Sequence, residues 1–338
     1  MKKLLFLFLF LSMSYSPLFA EENEDLSDKF YEWLIEFKQL ANTKYKIDKN
    51  LLDDSFVDVV YKPKIIKLDR NQPEFTETFW DYYNNAVHPL RIKRGKEKFK
   101  EQGKLLKEVE KKYNIPQNII LSFWGMETDY GRIKGTTKLI DSLSVLSFDH
   151  RRSKFFTNEL ISALKIMQKN NLKKDEFIGS WAGAFGHFQF MPSTFLNYAV
   201  DGDKDGKIDL INSLPDAFYS AGNYLSKMGW DKRYRWGRPV EFNRDNKKIW
   251  AVVNTPEWRY ISFYSHLGVK TTKGKELPKI HIKARLIAPM GTEGPVFLIY
   301  NNFTKIMLWN SSTNYALSVG LLSDALVDNA IGKIERNK

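Results

Sequence analysis

The chain has 338 residues, of which 43% are hydrophobic and 14% aromatic, and it carries a formal net charge of +12. This length and composition predict a globular protein with two or three compact units and exclude a disordered chain. The chain contains no cysteine, which excludes disulfides and predicts that no lipid anchor is attached through a cysteine.

Residues 1–20 have the layout of a secretory signal peptide, with Lys2 and Lys3, an apolar run to Leu11 and a small residue at Ala20. We expect cleavage near Ala20 and a soluble, periplasmic mature protein. Removing the two lysines leaves a net charge of +10, and an exported protein this basic is expected to meet an anionic polymer or surface. Export argues against nucleic acid and favours cell-wall glycan or anionic lipid headgroups.

Residues 21–74 are predicted to form an N-terminal helical segment, because apolar side chains recur there at helical spacing. Those of the first stripe are Phe30, Trp33, Leu34, Phe37, Leu40 and Ala41. Val57, Val59 and Val60 lie in a short apolar segment that is predicted to run into a connector at residues 62–64. The predicted core is placed at residues 75–230, and a charged helical stretch over residues 92–113 lies within it.

The sequence Phe-Trp-Gly-Met-Glu-Thr-Asp-Tyr-Gly at residues 123–131 holds the candidate catalytic residue, Glu127. Pro116 suits a first helical position and Gly131 suits a helix end, so a helix is predicted between them. Positions three, four and seven residues before Glu127 are all large and apolar, which places the carboxylate on a buried face. Burial raises the pKa of a glutamic acid and keeps it protonated near neutral pH, as a general acid requires. The alternative is a glutamate at the polar margin of a core helix.

Two polar groups stand in the glycine-rich, aromatic stretch of residues 179–194, namely Ser180 and Gln189. They are expected to donate to a ligand or to Glu127, or to satisfy buried backbone. His187 has no second histidine or cysteine nearby, so we interpret it as a pocket-wall or surface residue. The pair Arg151 and Arg152 is expected either to bind a carboxylate or to cap the preceding helix.

Residues 201–212 match a calcium-binding loop, with oxygen side chains at the first, third, fifth and ninth positions and glycine at the sixth. The predicted ligands are Asp201, Asp203, Asp205, the carbonyl of Lys207, Asp209 and Asn212. Asn212 stands where the motif has a bidentate glutamate, so a bound Ca²⁺ is expected to be weakly held and structural. The alternative is a hydrated acidic turn.

Beyond Trp230 the pattern changes to short β-prone runs separated by Gly, Pro and Asn, which predicts a small β-rich insert over residues 231–300. Residues 301–338 are predicted to turn helical again, to return to the core and to end in a basic tail. The predicted fold class is therefore α+β, mainly α.

Three ordered motifs carry a family resemblance: Glu-Thr-x-x-Gly at 127–131, Gly-Ser-x-Ala-Gly-Ala-x-Gly-x-x-Gln-Phe-Met-Pro-Ser at 179–193, and Asp-x-Asp-x-Asp-Gly at 201–206. In these the sequence resembles the lytic murein transglycosylases of the B type. The resemblance implies a lysozyme-like helical core with an EF-hand-like loop and a β insert. It also implies cleavage of the β-1,4 bond between N-acetylmuramic acid and N-acetylglucosamine in peptidoglycan, leaving a 1,6-anhydromuramyl end.

The resemblance further implies roles for individual residues. Glu127 matches the catalytic acid and base, and the other matches are polar or sugar-contacting groups: Tyr82, Arg151, Arg152, Ser180, Gln189, Tyr224, Trp309, Asn310 and Tyr315. Trp309 stands where tyrosine is expected, so a hydroxyl contact is lost while stacking is retained. No cofactor is implied for the chemistry, and other cell-wall enzymes are possible partners.

Ordinary glycosidases use two carboxylates, whereas Asp129, the nearest acid to Glu127, faces away along a helix. One glutamic acid suffices if the sugar's own C6 hydroxyl is the nucleophile, because intramolecular reaction has a large effective molarity. Asp141 and Asp149 remain alternative second acids. The rival functions are a hydrolytic muramidase, a non-catalytic peptidoglycan-binding scaffold and, more remotely, a calcium sensor.

Overall fold

The computed structural model describes residues 17–327, with side chains from residue 25 onward. The apolar run of the predicted signal peptide and the predicted basic tail lie outside these residues. Within the described part of the chain, no helix is long and apolar enough to cross a membrane.

The described residues are mainly helical, with two small sheets. The helices are α1 (Pro17–Tyr45), α2 (Lys49–Phe56), α3 (Pro63–Arg70), α4 (Pro73–Thr76), α5 (Phe79–Ala86), α6 (Pro89–Glu101), α7 (Gly103–Tyr113), α8 (Gln117–Thr128), α9 (Leu139–Phe148), α10 (Ser153–Asn170), α11 (Pro192–Tyr198), α12 (Leu214–Lys227), α13 (Lys247–Trp250), α14 (Ile261–His266), α15 (Asn301–Trp309) and α16 (Thr313–Leu326). The strands are β1 (Thr137–Lys138), β2 (Ile178–Gly179), β3 (Gly237–Glu241), β4 (Arg259–Tyr260), β5 (Lys270–Thr271), β6 (Lys283–Ile287) and β7 (Val296–Ile299).

The apolar stripe of α1 is mostly buried, as its spacing predicts, but Leu40 is exposed. The connector predicted at residues 62–64 is wrong, because Pro63 occupies the first turn of α3, where its missing N–H costs nothing. Val57 and Val60 are exposed, and of the three valines in this segment Val59 is the one in the core.

Helix α8 lies in the centre of the core, where even small polar residues such as Ser122 are fully buried. Helix α16 packs along α8 and also contacts α5 and α6. It is almost entirely buried, and at its N-terminal end Ser312 donates to the carbonyl of Glu74 at 2.7 Å, while Asn314 donates to that of Glu77 at 3.1 Å. These bonds fasten α4 and the residue after it to the start of α16.

The larger sheet has five antiparallel strands in the order β4-β6-β7-β3-β5 and lies within the region predicted to be β-rich. Strand β7 lies at the centre of this sheet, paired with β3 on one edge and β6 on the other. Its residues Val296 to Ile299 are all buried. The sheet has its own apolar cluster, which includes Val240, Leu286 and Tyr264.

Trp236 joins the β-rich region to the helical core at the start of β3. Its indole nitrogen donates to Asp324 of α16 at 3.3 Å, and Arg235 pairs with the same carboxylate at 2.6 Å. The ring lies directly against Gly320, where a Cβ would be 2.3 Å from Cδ2 of Trp236. Helix α16 therefore contacts the β-rich region near its C-terminal end and α4 at its N-terminal end.

Candidate active site

The site is organised by the C-terminal end of α8. Pro116 is the N-cap in extended backbone instead of the first helical residue, and the helix ends at Thr128, three residues before the end that Gly131 predicts. Asp129 and Tyr130 already have left-handed φ angles of 49° and 63°, and Gly131 continues with 82°. Thr128 supports this turn by accepting from the Gly131 N–H at 3.0 Å.

Glu127 lies in the last turn of α8, partly buried, and shares a helix face with the buried side chains of Phe123 and Trp124. Its Oε1 accepts a hydrogen bond from the hydroxyl of Tyr315 at the start of α16. Burial raises the pKa of Glu127 to about 7, although the side chains of Tyr315 and Trp309 act to lower it. A carboxyl with this pKa is poised both to donate and to accept a proton near neutral pH.

A second acid, Glu74 of α4, lies near enough for its charge to add to the rise in the pKa of Glu127. Burial raises the pKa of Tyr82 on α5, and the negative charges of Glu74 and Glu127 add to it. Burial and the charge of Glu127 likewise raise the pKa of Tyr315 well above its ordinary value. Both phenols therefore remain protonated, and Tyr315 is the one that donates to the carboxylate.

Asp129 is not a second acid of the site, because it is buried among cations. Its carboxylate pairs with Arg94 at 2.7 Å, Arg132 at 2.6 Å and Arg91 at 3.4 Å. Burial opposes its ionisation, but the arginines outweigh burial and lower the pKa of Asp129. This ion cluster holds the left-handed turn that follows Glu127.

The two other acids considered from the sequence are also held in ion pairs. Asp141 pairs with Lys62 at 2.7 Å and Lys174 at 2.9 Å, and Asp149 pairs with Arg70 at 2.8 Å. None of these bonds involves Glu127.

The loop after β2 returns to α8. Ser180 Oγ accepts from the N–H of Ala184 at 3.1 Å, which leaves its proton for donation, and Gln189 donates to the carbonyls of Gly186 at 2.9 Å and Lys134 at 3.2 Å. These bonds all satisfy backbone groups, which is one of the three roles that the sequence leaves open for Ser180 and Gln189.

His187 is buried in this loop, so of the two interpretations made from the sequence the surface residue is wrong. Its Nδ1 accepts from the indole N–H of Trp124 at 3.1 Å, and its carbonyl accepts from Thr128 at 2.8 Å. Burial lowers the pKa of His187 to about 4. A neutral imidazole thus clamps the last two turns of α8, and the sequence carries no signal for this role.

Trp309 forms an aromatic wall beside Glu127. Its ring centroid lies 4.6 Å from that of Phe123, 4.9 Å from that of Tyr224 and 5.4 Å from that of Phe190. A small pocket of about 90 Å³ adjoins this wall and is also lined by Gln189. The structure therefore brings together the predicted pocket residue Gln189 and the predicted sugar-contacting residues Tyr224 and Trp309.

Hydrogen bonds qualify the predicted roles of three residues near this wall. The Tyr224 hydroxyl donates to the carbonyl of Leu308 at 2.9 Å, and Asn310 Oδ1 accepts from the N–H of Ser312 at 2.9 Å. The Tyr315 hydroxyl is already used by Glu127. Contact with a sugar would therefore use the ring edge of Tyr224 and the amide nitrogen of Asn310.

Arg151 and Arg152 are both directed at the buried carboxylate of Asp69 in α3. Arg151 also donates to the carbonyl of Asp69 at 2.8 Å, and the guanidinium of Arg152 lies 4.7 Å from the ring centroid of Phe156. These bonds pair both guanidinium groups with Asp69 within the protein, a contact that the local sequence does not signal. A role in substrate binding stays a prediction.

The predicted calcium loop brings Asp201, Asp203 and Asp205 together, with one carboxylate oxygen from each within 4.8 Å of the others. Two of the other predicted ligands, Asp209 and Asn212, are used differently. Asp209 accepts from the N–H groups of Ile211 and Asn212, and the Asn212 side chain donates to it at 2.9 Å.

Asp216 of α12, which the loop pattern does not include, closes the base of this loop. It accepts from the N–H groups of Gly202 and Asp209, both at 2.7 Å, and burial raises its pKa. Three converging carboxylates are the oxygen donors that Ca²⁺ prefers, so this part of the loop fits the ion.

Comparison with known proteins gives consistent matches. The chain is 31% identical to the membrane-bound lytic murein transglycosylase B of Escherichia coli over 247 residues, which is 72% of this chain and 66% of that protein, just under two thirds of its length. Among solved structures, SltB3 of Pseudomonas aeruginosa, in complex with NAG-anhNAM-pentapeptide, is 35% identical, with a TM-score of 0.84 over 91% of this chain and 81% of that one.

The Escherichia coli lytic transglycosylase Slt35, in complex with calcium, is 27% identical, with a TM-score of 0.74 over 88% of this chain and 94% of that one. These likenesses confirm the predicted fold class, mainly helical with a lysozyme-like core and small sheets. They also confirm the resemblance stated from the three motifs. Residues 29–324 match the family described as the transglycosylase SLT domain, and the chain belongs to that family.

Proposed function

We propose that this protein is a lytic transglycosylase that cleaves the β-1,4 bond between N-acetylmuramic acid and N-acetylglucosamine in peptidoglycan, giving 1,6-anhydromuramyl products. The observation that carries the proposal is Glu127, a partly buried carboxyl whose pKa is raised to about 7 beside an aromatic wall. Family membership supports the reaction class, and the anhydro-sugar ligand in the SltB3 complex supports the product.

In this mechanism Glu127 acts first as general acid and then as general base. Protonated Glu127 gives its proton to the glycosidic oxygen as the bond to the muramyl anomeric carbon breaks. The Glu127 carboxylate then takes the proton of the muramyl C6 hydroxyl while that oxygen bonds to the anomeric carbon. The acid regains its proton and no water is consumed. A pKa near 7 suits both steps.

The three acids considered from the sequence as partners of Glu127 are engaged elsewhere, which supports a mechanism that uses Glu127 alone. Asp129, Asp141 and Asp149 are each paired with lysine or arginine. The substrate's own N-acetyl group and the phenol dipoles at Tyr82 and Tyr315 are the groups that we propose to stabilise the positive centre.

The remaining contacts are proposed from the positions described above. Trp309 stacks on a sugar ring, with the edge of Tyr224 beside it, and Gln189 supplies a polar contact in the pocket that these residues line. Asn310 and Ser180 supply further polar contacts. Periplasmic location follows from a peptidoglycan substrate and the expected signal peptide.

We further propose that Ca²⁺ binds at Asp201, Asp203 and Asp205 and stabilises the loop without taking part in the reaction. The convergence of these carboxylates supports the site, as does the calcium complex of Slt35. The use of Asp209 and Asn212 in bonds to each other supports weak affinity.

A clearing assay on purified sacculi tests the function. The wild-type protein should solubilise the wall, and Glu127→Gln should bind sacculi in a pull-down without solubilising them. Binding without clearing by both proteins would instead identify a non-catalytic scaffold.

A further inference from the structure

An open groove lies in the β-rich region, and none of the residues that line it belongs to the site around Glu127. Its volume is about 570 Å³, and its walls are α14 and the chain between β5 and β6. Leu277, which lines it, is buried, whereas Lys279, Ile280 and His281 on the same wall are exposed. Ligand sites in proteins commonly have volumes of about 300–1,000 Å³, so the groove is large enough to hold a ligand.

The wall formed by α14 is polar. Ser262 and Ser265 line it with hydroxyl groups, which both donate and accept hydrogen bonds. His266 also lines it, and its Nδ1 donates to the carbonyl of Ser262 at 2.6 Å. Its Nε2 is therefore the ring nitrogen left for another partner. This wall offers the kinds of group that bond to the hydroxyl and amide groups of a sugar.

An aromatic pair with a cation stands beside the other wall. The rings of Tyr260 and His281 are stacked, with centroids 4.1 Å apart and planes inclined by 28°. Tyr260 is 40% exposed at the end of β4, an edge strand, and Lys283 of β6 lies directly opposite it. The Lys283 ammonium is 5.7 Å from the centroid of the Tyr260 ring. Exposed rings beside a cation suit a ligand that has both apolar faces and negative groups.

The chain that forms this wall is strongly basic. Residues 270–285 carry five lysines and one arginine against a single acid, Glu276, which gives a net charge of +5 in a chain whose total is +12. Glu276 lies 3.9 Å from Lys270, and among the described residues neither Lys279 nor Lys283 forms an ion pair. A concentration of unpaired positive charge attracts an anionic partner.

We propose that this groove is a second binding site for peptidoglycan, which holds a glycan strand by its carboxylates and hydroxyls while another part of the wall lies at Glu127. The inference rests on the proposed function for the identity of the ligand. The lactyl and peptide carboxylates of peptidoglycan complement the unpaired lysines, and its sugar rings suit a polar groove with an aromatic edge. An anionic membrane fits less well, because Ile280 is the only large apolar residue lining the groove that is exposed.

A second attachment point has a specific consequence for activity. Binding at the groove raises the effective concentration of glycan at Glu127, provided that the substrate is a polymer long enough to reach both sites. The groove should therefore matter for intact sacculi and not for a short soluble fragment.

The experiment compares two pairs of substitutions. Lys279→Ala with Lys283→Ala, the groove pair, removes two cations from the groove and its edge. Lys247→Ala with Lys248→Ala, the control pair, removes two exposed lysines of α13 in the same region. Both pairs are made in full-length Glu127→Gln, so that sacculi are bound without being cut. Co-sedimentation with purified sacculi gives the apparent Kd, and flotation with phosphatidylglycerol vesicles measures lipid binding.

We expect the groove pair to weaken binding to sacculi by roughly tenfold, as the loss of two exposed ion pairs allows, and the control pair to leave it unchanged. In the active protein the groove pair should slow the clearing of sacculi and keep the wild-type kcat/KM on a soluble tetrasaccharide.

Unchanged binding by the groove pair would overturn the inference. Equal weakening by both pairs would also overturn it, because it would show a non-specific effect of charge. Loss of vesicle binding with binding to sacculi intact would make the groove a lipid-binding surface instead. If the active protein fails to cleave glycan, the proposed function fails, while co-sedimentation still decides whether the groove binds the wall.

Discussion

The Tyr315 hydroxyl donates to Oε1 of Glu127, and this bond joins the start of α16 to the end of α8. The two residues are 188 positions apart in the chain. The bond lowers the pKa of Glu127, whereas burial raises it, and burial prevails. The pKa of Glu127 is therefore set by two opposing effects, burial and the bond from Tyr315, which can be changed separately.

Tyr315→Phe should move the basic limb of the activity profile to higher pH, because it removes a donor that favours the charged form of Glu127. Turnover should also fall by roughly 10²-fold at most, since the carboxyl loses the bond that orients it. Kinetics on sacculi between pH 5 and 9, a range of about four units around the pKa of Glu127, measure both effects. A profile that stays in place would show that the hydroxyl does not act on Glu127.

Glu127→Gln should change the pH dependence of stability as well as activity. The pKa of Glu127 is about 7 in the folded protein against 4.5 ordinarily, so the folded state binds this proton more tightly than the unfolded state. The wild-type protein should therefore lose stability as pH rises from 4.5 to 7, by about 1–3 kcal/mol, whereas the glutamine variant should not. Urea denaturation at both ends of this range measures the difference, and parallel curves for the two proteins would contradict the raised pKa.

Gly320→Ala should destabilise the protein by about 1–3 kcal/mol, because the new methyl group would overlap Trp236 at the junction between the core and the β-rich region. Gly103→Ala is the matched control, since nothing lies within 4 Å of a Cβ at that helical position. The control should be neutral or stabilising by up to about 1 kcal/mol. Equal stability of the two variants would argue against close packing of Trp236 on α16.

Calcium should raise the melting temperature, because an ion that binds only the folded loop stabilises the folded protein by mass action. At a free calcium concentration one hundred times Kd, this stabilisation is about 2.7 kcal/mol. A variant with Asp203→Asn and Asp205→Asn should lose this response and keep clearing activity. Identical melting of the wild-type protein in calcium and in chelator would remove the proposed site.

The sequence predicts the parts of the site that are local. The burial of Glu127 follows from its spacing to Phe123 and Trp124, and the convergence of the first three loop aspartates follows from their pattern. Both are properties of one helix or one loop, so they can be read without the fold.

The remaining features depend on distant residues. Arg151 and Arg152 resemble a ligand site in sequence, yet Asp69, which they pair with, lies more than 80 positions away. The influence of Glu74 on Glu127 and the clamp formed by His187 likewise arise only when separate elements are packed together. A local sequence pattern does not show which charged residues of other elements a side chain will contact in the fold.

Product analysis tests the central proposal most directly. Purified sacculi are digested with the wild-type protein and with Glu127→Gln, and the released saccharides are measured by mass spectrometry. One acid working with the substrate's own hydroxyl predicts muramyl products lighter by one water than hydrolysis products, and none from the variant. Products that all carry the added water, or comparable release by Glu127→Gln, would contradict the mechanism.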